Sequence, residues 1–440
     1  MPLFERNDCI VKQVSSAVRD ATQYEEIHLE NGLTVLIKEM PEFMGVHAVF
    51  STKFGSIDSG FTVNGEAVRL PAGVAHFLEH KMFENEDGDA FSLYAKTGAS
   101  ANAYTGFDKT SYIFTATECI DESLDILLSF VSHPYFTEDT IAKEQGIIGQ
   151  EIQMYDDAPN WRLLFAIQEC LYHQHPIRED IAGSIASIAE ITPALLYACT
   201  DAFYRPSNMV LAAAGNITKA QLLSACERAQ LLPKTGDVTR TAVNEPREIR
   251  EKSKEFTMSV AKPLLGVGFK EDPALGESVK NEIICSLLTD LIIGEMTPLY
   301  RRLYDEGLIS PDFSGEYLNV QGALTLLFSG ETTEPQAVRD ALMAEIERVR
   351  REGVSREVFT LCKNSIYGDL IANLESVDDV ASGMASAYFK GHTLYDEIEA
   401  LASITAEEVD AMLQKTLLPD ACATVIIRPI DEDALAENAG

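Results

Sequence analysis

Positive charge is scarce in this chain: 35 lysines and arginines stand against 69 aspartates and glutamates, a formal net charge of -34. A surface of that sign repels phosphate backbones and anionic membrane faces, which argues against nucleic acid and against a membrane as partners. A densely solvated acidic exterior accounts for the imbalance, as does steering of basic substrates, and charge alone does not choose between them. Paired cysteines are missing too. Cys9, Cys119, Cys170, Cys199, Cys226, Cys285, Cys362 and Cys422 are scattered, with no Cys-x-x-Cys among them. Neither a disulfide framework nor a cysteine zinc site is implied, and they read as reduced, mostly buried thiols. No apolar run approaches bilayer length, and Met1 to Asp8 contain no basic stretch followed by an apolar one. The expectation is a cytoplasmic protein.

What the chain does have is ordinary globular chemistry in quantity. Hydrophobic residues at 46% and charged residues at 24% leave no case for wholesale disorder, and 440 residues can build more than one core. Glu26-Ile27-His28-Leu29-Glu30 and Leu33-Thr34-Val35-Leu36-Ile37 flank Asn31-Gly32, the pair favoured in a two-residue hairpin turn with positive φ at both positions. His28 falls on the polar phase of that hairpin as a surface residue. A strand is expected over Val46 to Phe54, then a Gly-rich loop, a helix from about Gly73, and strands over Ser100 to Thr105 and Ser111 to Thr117. Helical spacing returns over Ile120 to Val131, Thr137 to Met154 and Trp161 to Leu171, and a strand follows from Asn208 to Ala214.

Between Leu232 and Lys254 the chain turns polar around Pro233, Gly236 and Pro246, as an exposed connection would. Beyond it the theme repeats. Strands fall near Phe256 to Phe269, a helix over Val279 to Leu303, a strand at Ala323 to Phe328, long helices, and a last strand over Cys422 to Ile427. The expected class is α+β, with two similar halves, each a mainly antiparallel sheet covered by helices. The halves are residues 1–232 and 255–440, joined by the linker 233–254.

Chemistry concentrates in His76-Phe77-Leu78-Glu79-His80. Histidines four apart share one helix face, and Glu79, three on from His76, lies on the same side. Two neutral imidazoles suit zinc, which lowers the pKa of a bound water toward roughly 7, and a carboxylate beside the metal can take that water's proton. A lone histidine at a helix edge would mean little, but here three residue types coincide. A catalytic zinc needs a third protein ligand. Glu144 and Glu151, seven apart on one predicted helix, are two carboxylates on one face, with Ile147 and Ile148 between them on an apolar side against the core. Taken alone, two such glutamates face solvent more often than a metal.

These residues make the chain resemble the pitrilysin/insulinase metallopeptidases, whose zinc motif is His-x-x-Glu-His with a glutamate ligand further along. The resemblance runs through essentially the whole chain and implies the fold shared by mitochondrial processing peptidase and the LuxS-like metallohydrolases. It implies one Zn2+ held by His76, His80 and Glu151, Glu79 as general base, and Glu144 as a supporting carboxylate. Asn102, Ala103, Tyr104 and Thr105 match the family's edge strand, to which substrate peptide adds through main-chain hydrogen bonds; without the resemblance they form an ordinary strand. Ala182 to Ile185 and Phe203 to Met209 also fit the family's first domain, while His173 and His175 read as loop residues rather than ligands. The runs Ala75 to Glu84 and Gly149 to Asp157 are similar to a YmfH-type bacterial subgroup, which is associated with modification of elongation factor P.

The pattern departs in the second half. Active members carry an Arg and a Tyr in a segment resembling Leu-Arg-x-x-x-Gly-Leu-x-Tyr; here Leu303 to Ser310 places Tyr304 and Ser310 at those positions and is one residue shorter, with Arg301 and Arg302 out of register. Losing donors aimed at a tetrahedral intermediate costs a factor on the order of a hundred or more in rate. The resemblance therefore implies a zinc endopeptidase subunit completed by a homologous partner, or a homodimer, acting on peptides. A non-catalytic peptide-binding or assembly subunit, or a dedicated maturation factor, remains as an alternative.

Overall fold

The computed structural model describes residues 14–430 apart from positions 87 and 235; Cys9 and the opening residues read for a leader lie outside the described part. The first half carries β1 (Glu25–His28), β2 (Thr34–Glu39), β3 (Val46–Thr52), β4 (Gly60–Val63), β5 (Glu66–Arg69), the short β6 (Glu84–Asn85) and β7 (Gly88–Asp89), β8 (Ser100–Thr105), β9 (Thr110–Ala116) and β10 (Met209–Gly215). Six of these form a sheet in the order β1-β2-β10-β3-β9-β8, in which only β2 and β10 run parallel. β11 (Val238–Arg240), in the connection between halves, adds to the β4–β5 hairpin.

The second half has β12 (Ser253–Met258), β13 (Leu264–Glu271), β14 (Ser314–Val320), β15 (Ala323–Glu331) and β16 (Cys422–Pro429) in the order β12-β16-β13-β15-β14. Again one pair, β12 with β16, is parallel. Strand for strand this is the first sheet without β1: β10 inserts between β2 and β3 as β16 does between β12 and β13. The α+β class with two similar halves is the observed architecture, and the repeat lies in topology.

Central strands such as β3 and β10 are buried along their whole length, as expected of strands covered on both faces. The cover is exchanged. Helix Val377–Lys390 of the second half lays Val380, Ala381, Met384 and Ala385 on Leu36, Val49, Val210 and Ala212 of the first sheet. In return, helix Pro159–Leu171 of the first half packs Leu163, Ile167 and Leu171 on Leu264, Val425 and Ile427 of the second. The second sheet makes room for it with glycine: a Cβ on Gly268 would stand 2.4 Å from Ile167 Cγ2.

Several sequence expectations need correction. The β1–β2 turn is a three-residue loop, in which Leu29 N–H donates to Leu33 O at 2.9 Å and Gly32 N–H to Leu29 O at 2.9 Å. Gly32, and not Asn31, takes positive φ there. The two-residue turn with positive φ at both positions occurs instead at Asn64-Gly65, φ 51° and 87°, between the directly paired Val63 and Glu66 of the β4–β5 hairpin, where the sequence leads one to expect a Gly-rich loop. Edge strand β14 falls outside the strands expected from the sequence. The helix expected over Val279 to Leu303 is two, Val279–Ile293 and Pro298–Asp305, bent by 42°. Gly294 ends the first, and Pro298 opens the second behind the N-cap Thr297. Of the isoleucines between Glu144 and Glu151, Ile148 is buried but Ile147 is 45% exposed. Among the described cysteines Cys119 is exposed and the other six are buried. No single helix among the described residues is long and apolar enough to cross a membrane.

Candidate metal centre

The helix that bears the histidines, Val74–Met82, sinks Val74, Phe77, Leu78 and Met82 into the core of the first half and turns His76, Glu79 and His80 to a cleft. Its start is keyed into a loop. At its N-cap Gly73 has φ +89°, and a Cβ there would meet Ala182 O at 2.5 Å; Gly183, φ +75°, would in turn meet Ala72 O at 2.5 Å. Only glycines allow so close an approach with that backbone. Ser187 Oγ seals the contact by donating to Ala72 O at 2.8 Å.

Glu151 comes from a different element, the long helix Glu138–Asp156. Its carboxylate faces both imidazoles, with Oε1 3.7 Å from His76 Nε2 and Oε2 3.5 Å from His80 Nε2. All three donor atoms lie within 4.8 Å of one another. Ligand atoms bonded tetrahedrally to one zinc at ~2.0–2.2 Å stand roughly 3.3–3.6 Å apart, so the two imidazoles and the carboxylate fit such an ion. Glu144, 8% exposed on the same helix, stands behind the site, its Oε1 3.1 Å from His80 Nδ1. That carboxylate–histidine pairing orients a ring whose other nitrogen, Nε2, faces Glu151. His76 Nδ1 is buried and has no hydrogen-bond partner among the described residues.

Burial, aided by neighbouring His80, pushes His76 down to about 4, so its ring is neutral as a ligand must be. Burial also depresses His80, but the hydrogen bond to Glu144 and the charges of Glu79, Glu151 and Glu144 outweigh it and leave the group raised. Burial raises Glu79, against the opposing hydrogen bond from Thr105, whose Oγ1 donates to Glu79 Oε2 at 2.6 Å. Three carboxylates around two imidazoles leave an excess of negative charge that a divalent cation would balance.

The cleft of about 320 Å³ brings His76, Glu79, His80 and Glu151 together with Asn102, Ala103 and Tyr104. Those three belong to β8, the edge of the six-stranded sheet, and the Ala103 N–H is bonded to Asn102 Oδ1 at 2.9 Å. Thr105, which continues that edge strand, also lines the cleft, as do Tyr155 and Trp161, two residues to which the sequence gives no role. For Tyr155 a signal existed, since it lies one turn beyond Glu151; for Trp161 there was none beyond its being the sole tryptophan. His175 caps a short turn, its Nε2 2.9 Å from Gln321 O, and His28 is exposed on β1. Tyr304 is 44% exposed and stacks on Tyr300, while Ser310 Oγ donates to Glu331 Oε2 at 3.1 Å; neither lines the cleft.

Residues 67–184 match the profile of the insulinase family (peptidase family M16), and residues 190–366 that of the peptidase M16 inactive domain. The uncharacterized zinc protease YmfH of Bacillus subtilis (strain 168) is 38% identical over 419 residues, 93% of this chain and 97% of that one. A second B. subtilis relative, the uncharacterized zinc protease YmxG, is 24% identical over 90% of this chain and 96% of its own length. In solved structures, an M16-like peptidase from Alicyclobacillus acidocaldarius superposes with a TM-score of 0.89 at 32% identity, covering 93% of this chain and 98% of that chain. Pitrilysin superposes at 0.71 and 17% identity over 92% of this chain but only 45% of its own.

Proposed function

Because this chain belongs to the insulinase family of peptidases (family M16), we propose that it is a zinc metalloendopeptidase subunit that hydrolyses peptides in the cleft between its histidine helix and β8. The observation that carries the proposal is the convergence of His76, His80 and Glu151 with Glu79 beside them and outside the ligand set. Zinc bound there supplies Lewis acidity, polarising a scissile carbonyl and acidifying water near neutral pH. Glu79, held by Thr105 and made more basic by burial, accepts the proton of the attacking water and delivers it to the leaving amine. Substrate lies extended along the open edge of β8, its main chain bonding to the strand and its side chains alternating between cleft and solvent.

A homologous partner subunit completes the site. Tyr304 and Ser310 stand where active relatives place an Arg and a Tyr, and both are engaged away from the cleft. This chain covers 45% of pitrilysin and 49% of the Escherichia coli periplasmic protease PqqL, so each of those chains has about twice the matched length. The engagement of Ser310 by Glu331 favours a second reading as well, a peptide-binding subunit without turnover.

The test is hydrolysis of a quenched peptide pool by the zinc-loaded chain, alone and mixed with a homologous chain that carries the Arg and Tyr. Turnover in the mixture is expected, falling about a thousandfold with Glu79→Gln while zinc stays bound. A mixture in which the two chains associate and hold zinc yet cleave nothing leaves the peptide-binding reading.

A further inference from the structure

Glu151 approaches the imidazoles from the far side of the cleft, so its side chain must be fixed by groups on its own side. Tyr155, four residues on and therefore on the same helix face, donates its hydroxyl to Glu151 Oε1 at 2.8 Å. This is the oxygen that stands 3.7 Å from His76 Nε2, while Oε2 is turned to His80. The Tyr155 ring is in turn stacked on Trp161, centroids 4.9 Å apart and planes 21° from parallel. Between them the chain ends one helix and opens the next at Pro159, which brings the first turn of the second against the last turn of the first. Trp161 Nε1 donates to Asp180 Oδ2 at 2.6 Å, and Asp180 Oδ1 accepts the Ala182 N–H at 2.9 Å. Ala182 and Gly183 are the residues keyed against Ala72 and Gly73 at the start of the histidine helix. The contacts therefore close a circuit from Glu151 through Tyr155, Trp161 and Asp180 back to the helix that carries His76 and His80.

We propose that Tyr155 is the positioning residue for the third zinc ligand, and that Trp161 and Asp180 hold it in place so that the circuit sets the spacing between the histidine helix and Glu151. The inference rests on the zinc reading above and deepens it. A free glutamate side chain gives up rotamer freedom on being fixed. The Tyr155 hydroxyl meets that cost before any metal arrives, as outer-shell hydrogen bonds to ligating carboxylates do. The hydroxyl does this through one oxygen only, leaving the other with a lone pair toward His80. Nothing in the core requires the phenol: Tyr155 lines the cleft, and its ring would stack on Trp161 equally well without the oxygen.

Tyr155→Phe is the discriminating variant, because it keeps the ring and removes only the hydroxyl. Zinc affinity measured by competition with a chromogenic chelator should fall 10- to 100-fold, with the thermal midpoint of the zinc-free protein unchanged. The visible spectrum of the Co2+-substituted protein should shift as the carboxylate loses its fixed orientation. Trp161→Leu should weaken zinc in the same direction. Because it acts through Tyr155, the double variant should lose less than the two single losses combined. Wild-type affinity and an unchanged cobalt spectrum in Tyr155→Phe would overturn the inference while leaving the zinc reading intact. A wild-type chain that binds no zinc would instead overturn that reading, and the inference with it.

Discussion

Thr105, the last residue of β8, donates its hydroxyl to Glu79 Oε2 at 2.6 Å. The strand proposed to receive substrate thus also orients the proposed base, so the position of the peptide and the position of the proton acceptor are set by one element. Thr105→Val keeps the β-branched shape and removes the donor. We expect kcat to fall about tenfold, as for loss of one hydrogen bond to a charged group, with KM within a factor of about two and zinc content unchanged. Steady-state kinetics with a zinc assay on the same preparation decide it, and an unchanged kcat would remove Thr105 from the machinery.

The open edge of β8 makes a separate prediction. The Ala103 N–H is bonded to the side chain of Asn102, so proline at this position removes an edge donor and places a ring where a peptide strand would pair. Ala103→Pro should raise KM at least about tenfold without loss of zinc, and the thermal midpoint should fall little, since edge strands tolerate proline. Equal KM values for the variant and the wild type would mean that substrate does not add to this strand.

The parts of the molecule legible in the sequence are those written at short range. His76, Glu79 and His80 are fixed relative to one another by helical periodicity, and β8 with β9 by alternation of side chains; the structure keeps both arrangements. Glu151 was reachable only through resemblance, because no spacing rule connects a carboxylate on one helix to imidazoles on another. Two identical Asn-Gly pairs gave opposite results. At Asn64-Gly65 the flanking Val63 and Glu66 pair directly, whereas at Asn31-Gly32 the loop closes through Leu29 and Leu33 and needs one more residue. The dipeptide favours a turn, but strand register decides which one. Gly294 and Pro298 did mark the break in the helix read as continuous. The exchange of helices between sheets, and the link from Trp161 to Asp180, are set by packing between segments distant in sequence and leave no local signature.

That exchange can be tested through Gly268. A methyl added there would stand 2.4 Å from Ile167 Cγ2 and 3.2 Å from Leu171 Cδ1, on a strand and a helix that are both packed tightly. Gly268→Ala should destabilise the protein by about 2 kcal/mol, typical of overpacking in a full core. Combining it with Ile167→Ala, which removes the methyl in conflict, should recover part of that loss relative to Ile167→Ala alone. Urea unfolding of the four proteins measures the coupling, and strict additivity would mean that the two residues do not press on one another.

Glu271 provides a pH-dependent test away from the cleft. It ends β13, is 6% exposed, and its Oε1 accepts the N–H of Leu417 at 2.7 Å. Burial pushes its carboxyl up to about 7, against the pull of that N–H and of the Arg350 charge. The sign is opposite to that of a salt-bridged carboxylate. With the folded pKa above the unfolded value, the native state holds its proton more tightly than the unfolded chain, so stability falls as pH rises from about 4.5 through 7, and the full cost is present above 7. A shift of this size corresponds to about 3 kcal/mol at most. Glu271→Gln resembles the protonated form and keeps an oxygen for Leu417. It should therefore raise the thermal midpoint by several degrees at pH 8, and by much less at pH 5. Scans of both proteins across that range test the prediction. A midpoint difference independent of pH would mean that the Glu271 carboxyl titrates at its ordinary value in the folded protein, with its charge solvated or matched by Arg350.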